Sequence, residues 1–301
     1  MKRIKIGIVI INYNGKDDTL ECLDSMHILM SDPRFVVRIF LVDNNSKIAI
    51  DKSELDKIVP DVVLIQNERN EGFAEGNNIG IRSALDYNSD YIILLNNDTV
   101  LVDDSFSRLI SKMETESEIG IGGIVNYYYN DHNKIWQAGI INDFKYGKPF
   151  SVLNFNNGLA EFKAVDYVPG SSMVIKKEVF EKIGLLDARY FAYFEENDFC
   201  MRAKKTGFNV AFLQNTKILH KIGQSSNSKI KLYLRTRNIL LFYSTYVSRK
   251  VVFVAFSRHC IRTIRSVRKT PTKLIPSIKV IIIGLYDFCV GNFYEGSIHK
   301  L

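Results

Sequence analysis

Tyr91-Ile92-Ile93-Leu94-Leu95-Asn96-Asn97-Asp98-Thr99 is the stretch that decides the fold. Five apolar residues run without alternation into short polar ones, the pattern of a strand buried on both faces that ends in a polar crevice. Open α/β sheets bind ligands at the carboxyl ends of such strands. Asp98 therefore stands where a hard oxygen ligand would meet a metal ion carrying phosphates, because Mg²⁺ takes few protein carboxylates and completes its shell with substrate oxygens and water. The competing reading makes Asn96-Asn97-Asp98 a plain turn, or a helix N-cap ahead of residues 102–105.

Similar apolar runs occupy residues 4–11, 36–42 and 61–66. Leu20, Leu23, Met26 and Leu29 carry helical spacing over residues 16–30, and residues 67–80 read as a Gly/Asn loop feeding a helix that runs through about residue 85. Four strand-then-helix units in the first hundred residues predict a parallel, doubly wound sheet, since parallel neighbours require crossovers. Asn12, Asn14, Asp43, Asn44, Asn70, Asn77 and Asp98 then share one end of that sheet, which solvated turns alone would not produce. Gly72, Gly76 and Gly80 recur every four residues rather than as the dinucleotide fingerprint, so hydride transfer is poorly supported.

Beyond Asp98 the pattern loosens. Residues 119–127 and 134–141 read as strands, 142–164 as a loop-rich insertion, and 176–183 as a helix closed by Gly184. A second acidic focus, Glu195, Glu196 and Asp198, opens a further helix that ends near Gly207. Aromatic residues flank these carboxylates, which suits a walled pocket where a pKa can be moved, although an acidic first turn also satisfies a helix dipole. A metal-held diphosphate and a separate carboxylate divide the labour of group transfer from a nucleotide-activated donor. The four cysteines, Cys22, Cys200, Cys260 and Cys289, are far apart and suggest neither a zinc site nor a disulfide framework; a reducing, cytosolic setting fits. The apolar run after the basic start is too short for a signal peptide.

Asn12-Tyr13-Asn14, Asp43-Asn44-Asn45-Ser46, residues 70–80, Asn96-Asn97-Asp98, Pro169-Gly170-Ser171-Ser172, Glu195-Glu196-Asn197-Asp198 and a late His220 follow one another in an order that resembles the inverting family-2 glycosyltransferases of GT-A fold, especially the bacterial rhamnosyltransferase-like branch. The resemblance spans about residues 4–225. It implies an α/β, Rossmann-like, mostly parallel sheet flanked by helices, and a nucleoside-diphosphate sugar donor, dTDP-rhamnose or a UDP-hexose. Asn12, Asn14 and Asp43 would line the base and ribose pocket, and Asn70, Gly72 and Asn77 would lie beside nucleotide and sugar, with Asn44 and Asn97 in the same set. Asp98 would bind Mg²⁺ or Mn²⁺ on the diphosphate, and His220 would be a late metal or phosphate contact. Glu196 takes the position of the general base, with Asp198 and Glu195 as live candidates. One base and no protein nucleophile implies a single displacement with inversion. Asn96 departs from the family's DxD motif and leaves one carboxylate there, which also admits a non-catalytic nucleotide-sugar or polyanion binding protein on a degenerate scaffold.

Charge divides the chain. Residues 199–286 hold 18 Lys and Arg and no Asp or Glu, whereas residues 1–198 hold 21 basic and 31 acidic residues. A basic third points to an anionic partner. After a linker at residues 225–228, a helix is expected over 229–246. In 249–269, Arg258, Arg262, Arg265 and Arg268 with Lys269 recur at helical spacing among Val254, Ile261, Ile264 and Val267, the pattern of a helix lying in a membrane interface. Residues 274–290 are apolar but interrupted by Pro276, Lys279 and Asp287, so no transmembrane span is expected. Residues 1–225 and 226–301 thus read as a transferase domain and a basic helical extension. Together they predict an enzyme of cell-surface polysaccharide synthesis, peripheral on the inner face of the plasma membrane, with a saccharide or lipid-linked saccharide acceptor. Packing as a helical subdomain or a homo-oligomer interface is the alternative for the extension; the absence of a recognisable module argues against nucleic acid.

Overall fold

The uninterrupted apolar runs form the centre of an eight-stranded sheet. The computed structural model describes residues 3–155, 161–222, 228–268 and 271–301. β1 (Ile4–Asn12), β2 (Phe35–Asp43), β3 (Val63–Gln66) and β4 (Tyr91–Asn96) lie parallel in the order β4-β1-β2-β3. Their crossovers are α1 (Lys16–Ser25) with α2 (His27–Met30), α3 (Lys52–Ile58) and α4 (Gly72–Asp86). The expected doubly wound half is present, and its strands end together: Asn12 pairs with Asp43, Asp43 with Gln66, and Ile11 with Asn96.

The remainder is a mixed addition to that half. In order come β5 (Thr99–Leu101), α5 (Ser105–Thr115), β6 (Ile119–Gly123), β7 (Asn126–Tyr128), β8 (Asp131–Gln137), β9 (Gly139–Asp143), β10 (Lys148–Val152), β11 (Phe162–Ala164), β12 (Ser172–Lys176), α6 (Lys177–Ile183), α7 (Glu195–Lys205), β13 (Asn209–Leu213), β14 (Ile218–His220), α8 (Ser228–Tyr246), α9 (Arg249–Val267) and α10 (Pro271–Val290). β12 runs antiparallel between β4 and β6, and the large sheet continues through β13 to β11. A smaller sheet, ordered β5-β14-β7-β8, stands beside it.

Several boundaries differ from the expected ones. The helix over 16–30 breaks at Met26, where the Ser25 hydroxyl donates to Cys22 O and accepts from Leu101 N. The strand over 119–127 is two, in different sheets, and the insertion at 142–164 contains β10 and β11, with residues 156–160 outside the described ones. Of the linker at 225–228, residues 225–227 also lie outside them, and Ser228 already begins α8. Most informative is 72–80, read as a loop and found as helix. Gly72 takes φ +78°, which permits a sharp entry. Gly76 and Gly80 stand one and two turns further on the same face, where a Cβ would come within 3.1 Å of Ile11 and 2.4 Å of Val9. The glycines let α4 lie directly on β1 and β2.

The C-terminal helices are organised by α8. It packs against both α9 and α10, and Asp287 of α10, expected as an interruption, is buried and accepts from Tyr233 Oη, Ser297 N and Asn292 Nδ2. Arg237 and Asn238 are fully buried. Arg237 donates to the carbonyls of Arg189, Tyr190 and Tyr294; Asn238 Nδ2 lies 2.8 Å from those of Tyr190, Ala192 and Tyr193. The clamped segment carries positive φ at Phe191, Tyr193 and Phe194, conformations that cost about 1–3 kcal/mol each for non-glycine residues. From the other side, Phe191 O accepts from Phe73 N and Ala74 N at the start of α4. Among the described residues no helix is long and apolar enough to cross a membrane.

Asn238→Ala removes the side-chain donor from the carbonyls of Ala192 and Tyr193 and leaves a gap at a fully buried position, so it is expected to lower stability by about 2–4 kcal/mol, measured as a shift in the urea midpoint. Thr245→Ala, at a more accessible position of the same helix, is the comparison and should change the midpoint by less than about 1 kcal/mol.

Candidate active site

Strand register assembles the first half of the site. β14 pairs antiparallel with β5 so that His220 faces Thr99, which brings its ring against the preceding residue, Asp98. Asp98 Oδ1 and His220 Nε2 lie 3.0 Å apart, and Trp136 stacks edge-on against the imidazole at 4.6 Å between centroids. Asn96 Oδ1 and His220 Nδ1 are buried without a hydrogen-bond partner among the described residues, and His220 is the one neighbour that meets Asp98 Oδ1. Asp98 sits in the turn between β4 and β5, so the turn reading and the ligand reading describe one residue. No cluster of three or more His, Cys, Asp or Glu suited to a metal exists among the described residues. One carboxylate, one imidazole and an amide oxygen form a donor set that fits a divalent cation only when much of its shell comes from substrate oxygens.

Helix α7 supplies the second half. Phe194, left-handed at φ +78°, precedes it, so Glu195 and Glu196 fall in its first turn directly after the clamped segment. Glu195 is 4% exposed. Its pKa is pushed well above the ordinary carboxylate range by burial and then by Glu196. Glu196 is raised too, by burial, with relief from backbone amides, Glu195 and Arg235. Two adjoining buried carboxyls do not both ionise readily. The pair therefore keeps a proton above the ordinary carboxylate range, the upward push being greater on Glu195, whose charge its neighbour opposes.

Both halves open into one cavity of about 450 Å³. Asn96, Asp98 and His220 line it together with Glu195, Glu196, Asn197 and the turn Pro169-Gly170-Ser171. Sequence reasoning did not single out Trp136, Tyr167 or Lys231 as part of it. Their available signals were the chain's only tryptophan, a tyrosine beside a Pro-Gly turn, and a lysine four residues from Arg235.

Other expected residues go elsewhere. Asp198 does not line this cavity: Oδ2 takes Arg202 Nε at 2.8 Å and Oδ1 takes Tyr246 Oη at 2.7 Å, which ties α7 to α8. Asn97 donates to Gly15 O and Thr19 Oγ1 and anchors α1. Asn77, inside α4, donates to Phe73 O. Asn12 and Asp43 form a buried network with Ser46, whose hydroxyl also accepts from Asn14 N; Asn14 itself is exposed at φ 60°. Asn44 binds Asn70 Oδ1 and Gly72 O and accepts from Asn67 Nδ2 and Glu71 N. Asn12, Asn14 and Asp43 are thus gathered at the ends of β1 and β2, while Asn44, Asn70 and Gly72 form a second group between β2 and α4.

The description "Glycosyl transferase family 2" matches residues 7–184, more than half of the chain. The chain belongs to this family. It is 28% identical over 261 residues to the low-salt glycan biosynthesis hexosyltransferase Agl10 of Haloferax volcanii, covering 82% of this chain and 78% of that protein. The dTDP-rhamnosyl transferase RfbF of Shigella flexneri is also 28% identical, over 246 residues, with 78% and 79% covered. Among solved structures, the mannosyltransferase PcManGT of Pyrobaculum calidifontis in complex with GDP-Man and Mn²⁺ superposes with a TM-score of 0.58 at 12% identity, over 95% of this chain and 88% of that one. At that identity the likeness establishes the fold, which is GT-A with a helical C-terminal region.

Because the Glu195 pKa in the fold exceeds its ordinary value of 4.5, its stabilising contribution is complete below that value and is lost as pH rises through the folded one. Glu195→Gln, neutral throughout, should therefore raise the thermal midpoint near pH 8 and show little gain near pH 4, followed by scanning calorimetry. A gain that is constant with pH would contradict the raised pKa of Glu195.

Proposed function

We propose that this glycosyltransferase moves a sugar from a nucleoside-diphosphate donor, dTDP-rhamnose or a UDP-hexose, to a hydroxyl of a saccharide or lipid-linked saccharide, with inversion, in the synthesis of a cell-surface polysaccharide. The observation that carries this reading is the meeting, in one cavity, of the Asp98–His220 pair with the buried Glu195–Glu196 pair. Asp98 and His220 would hold Mg²⁺ or Mn²⁺, with Asn96 Oδ1 beside them. Such an ion, when bound, neutralises charge on a diphosphate leaving group. The named relatives, a hexosyltransferase and a dTDP-rhamnosyl transferase, support the donor class.

Glu196 accepts the proton of the acceptor hydroxyl. Burial makes it a stronger base than an ordinary carboxylate, and the greater upward push on Glu195 leaves that role to Glu196. Tyr167, Pro169 and Phe194 line the cavity together with the carboxylates and give it an apolar wall on that side. No nucleophilic side chain is required, and a single displacement inverts the anomeric centre.

The exposed apolar side chains of α9 and α10 support attachment to an anionic, cytoplasmic membrane face. Phe253 and Ile275 are 72% and 77% exposed, and Ile278, Ile282 and Tyr286 continue the stripe on α10 at helical spacing. Arg258, Arg262 and Arg265 share α9 with Ile261 and Ile264, the composition of an interfacial helix.

Release of nucleoside diphosphate across a donor panel, with and without Mn²⁺, tests the reaction. Glu196→Gln should lower transfer by about 10²–10⁴-fold while donor affinity is unchanged. Nucleotide binding with no turnover from any donor would favour the non-catalytic alternative that Asn96 motivates. In flotation with phosphatidylglycerol vesicles the intact protein should rise with the lipid, and Phe253→Asp with Ile275→Asp should leave it at the bottom; equal flotation by both would remove the membrane assignment.

A further inference from the structure

Helix α8 presents two cations to the cavity without a hydrogen bond or ion pair to hold them among the described residues. Lys231 and Arg235 are four residues apart, hence neighbours on one face of the helix, and both line the cavity shared by Asp98, His220, Glu195 and Glu196. Among the described residues neither takes part in a hydrogen bond or an ion pair; the Lys231 ammonium lies 5.9 Å from the centre of the Tyr193 ring. Lys231 also belongs to the first turn of α8, which holds no acidic residue, at the end of a helix where the dipole opposes a cation. The surroundings register the excess charge. Burial and then Arg235 lower the Lys231 ammonium, and burial, Arg235 and Arg262 together hold His259 near a pKa of about 4.

Like charges on one cavity wall, set against a helix dipole, repel one another, and that repulsion is relieved by an anion. Two parts of the reaction mixture carry one. The donor's diphosphate already has a place at Asp98 and His220. Arg235 instead acts on Glu196, the group that an acceptor hydroxyl must reach.

We propose that Lys231 and Arg235 form a phosphate-binding subsite on the acceptor side of the cavity, taking the phosphate or diphosphate that joins an acceptor saccharide to its carrier. The subsite rests on the glycosyltransferase reading above and narrows its acceptor class to phosphate-linked saccharides. Lys231 contributes a mobile ammonium and Arg235 a planar fork suited to two phosphate oxygens. Their charge holds an anion beside Glu196, which would otherwise repel it.

Calorimetric titration of the intact protein distinguishes the two sources of phosphate. The protein with Mn²⁺ is titrated first with uridine or thymidine diphosphate, then, at saturating nucleotide, with geranyl diphosphate as a soluble probe of a carrier-linked phosphate. Geranyl diphosphate should bind the nucleotide-loaded protein. The double variant Lys231→Gln with Arg235→Gln should weaken that step at least about tenfold, as expected for lost charge-assisted hydrogen bonds, and change nucleotide affinity by less than about twofold. The charge-conserving Lys231→Arg should retain the binding. Both side chains are exposed, and a thermal midpoint matching that of the parent confirms that the double variant is folded. Parallel loss of nucleotide affinity would assign the cations to the donor and overturn the proposal, as would unchanged geranyl diphosphate binding in the double variant or none in the parent. Binding is read without turnover. A protein that holds geranyl diphosphate through these residues yet transfers no sugar therefore leaves the subsite standing and sinks only the catalytic reading.

Discussion

The site depends on a hydrogen-bonded clamp between one helix and one strained segment. Arg237 and Asn238 reach from the interior of α8 to the carbonyls of Arg189, Tyr190, Ala192 and Tyr193, while the start of α4 takes the carbonyl of Phe191. Without the clamp the carbonyls of Ala192 and Tyr193 would lose the side-chain donor that holds them, and the left-handed residues of the segment would relax. Because Phe194 hands the chain directly to α7, the clamp also fixes where Glu195 and Glu196 enter the cavity. Asp198, one turn from the pair, adds a second tie through Tyr246.

The two ends of the cavity are built by opposite means. At Asp98 the sheet supplies position, since β-pairing of Thr99 with His220 sets the spacing and Trp136 sets the ring orientation. At Glu195 and Glu196 burial acts first, raising both carboxyls above the ordinary range, and Glu196 adds to the effect on Glu195. With Asn96 in place of a second carboxylate, the Asp98 end carries less negative charge than a pair of carboxylates would.

The parallel half of the fold was legible because buried parallel strands write themselves as unbroken apolar runs, and the polar rim at Asn12, Asp43 and Asp98 followed from where those runs stop. The α4 start was not legible, since glycines at every fourth position lower helix propensity locally while their value lies in the approach to Val9 and Ile11, a contact between distant segments. The family resemblance drew Glu196, Asp98 and His220 from the chain, but no pattern within the sequence shows that β5 and β14 pair. Asp198 and Asn97 carried the expected chemistry at the expected place and are occupied by Arg202, Tyr246 and Thr19, partners that only tertiary packing reveals. Arg235 was visible as part of a basic helix, yet its place in the cavity wall required knowing how α8 lies across the 189–194 segment.

That crossing sets an order of assembly. A chain emerging from its N-terminus forms the parallel strands and the polar rim early, from segments close in sequence. The carboxylate pair at 195–196 cannot take its final position until α8 has docked, and Arg237 is complete only when Tyr294, near the end of the chain, offers its carbonyl. The ends of β1 and β2 are thus in place before the carboxylate pair, whereas the Asp98–His220 pair has to wait for β14, which follows both in the chain.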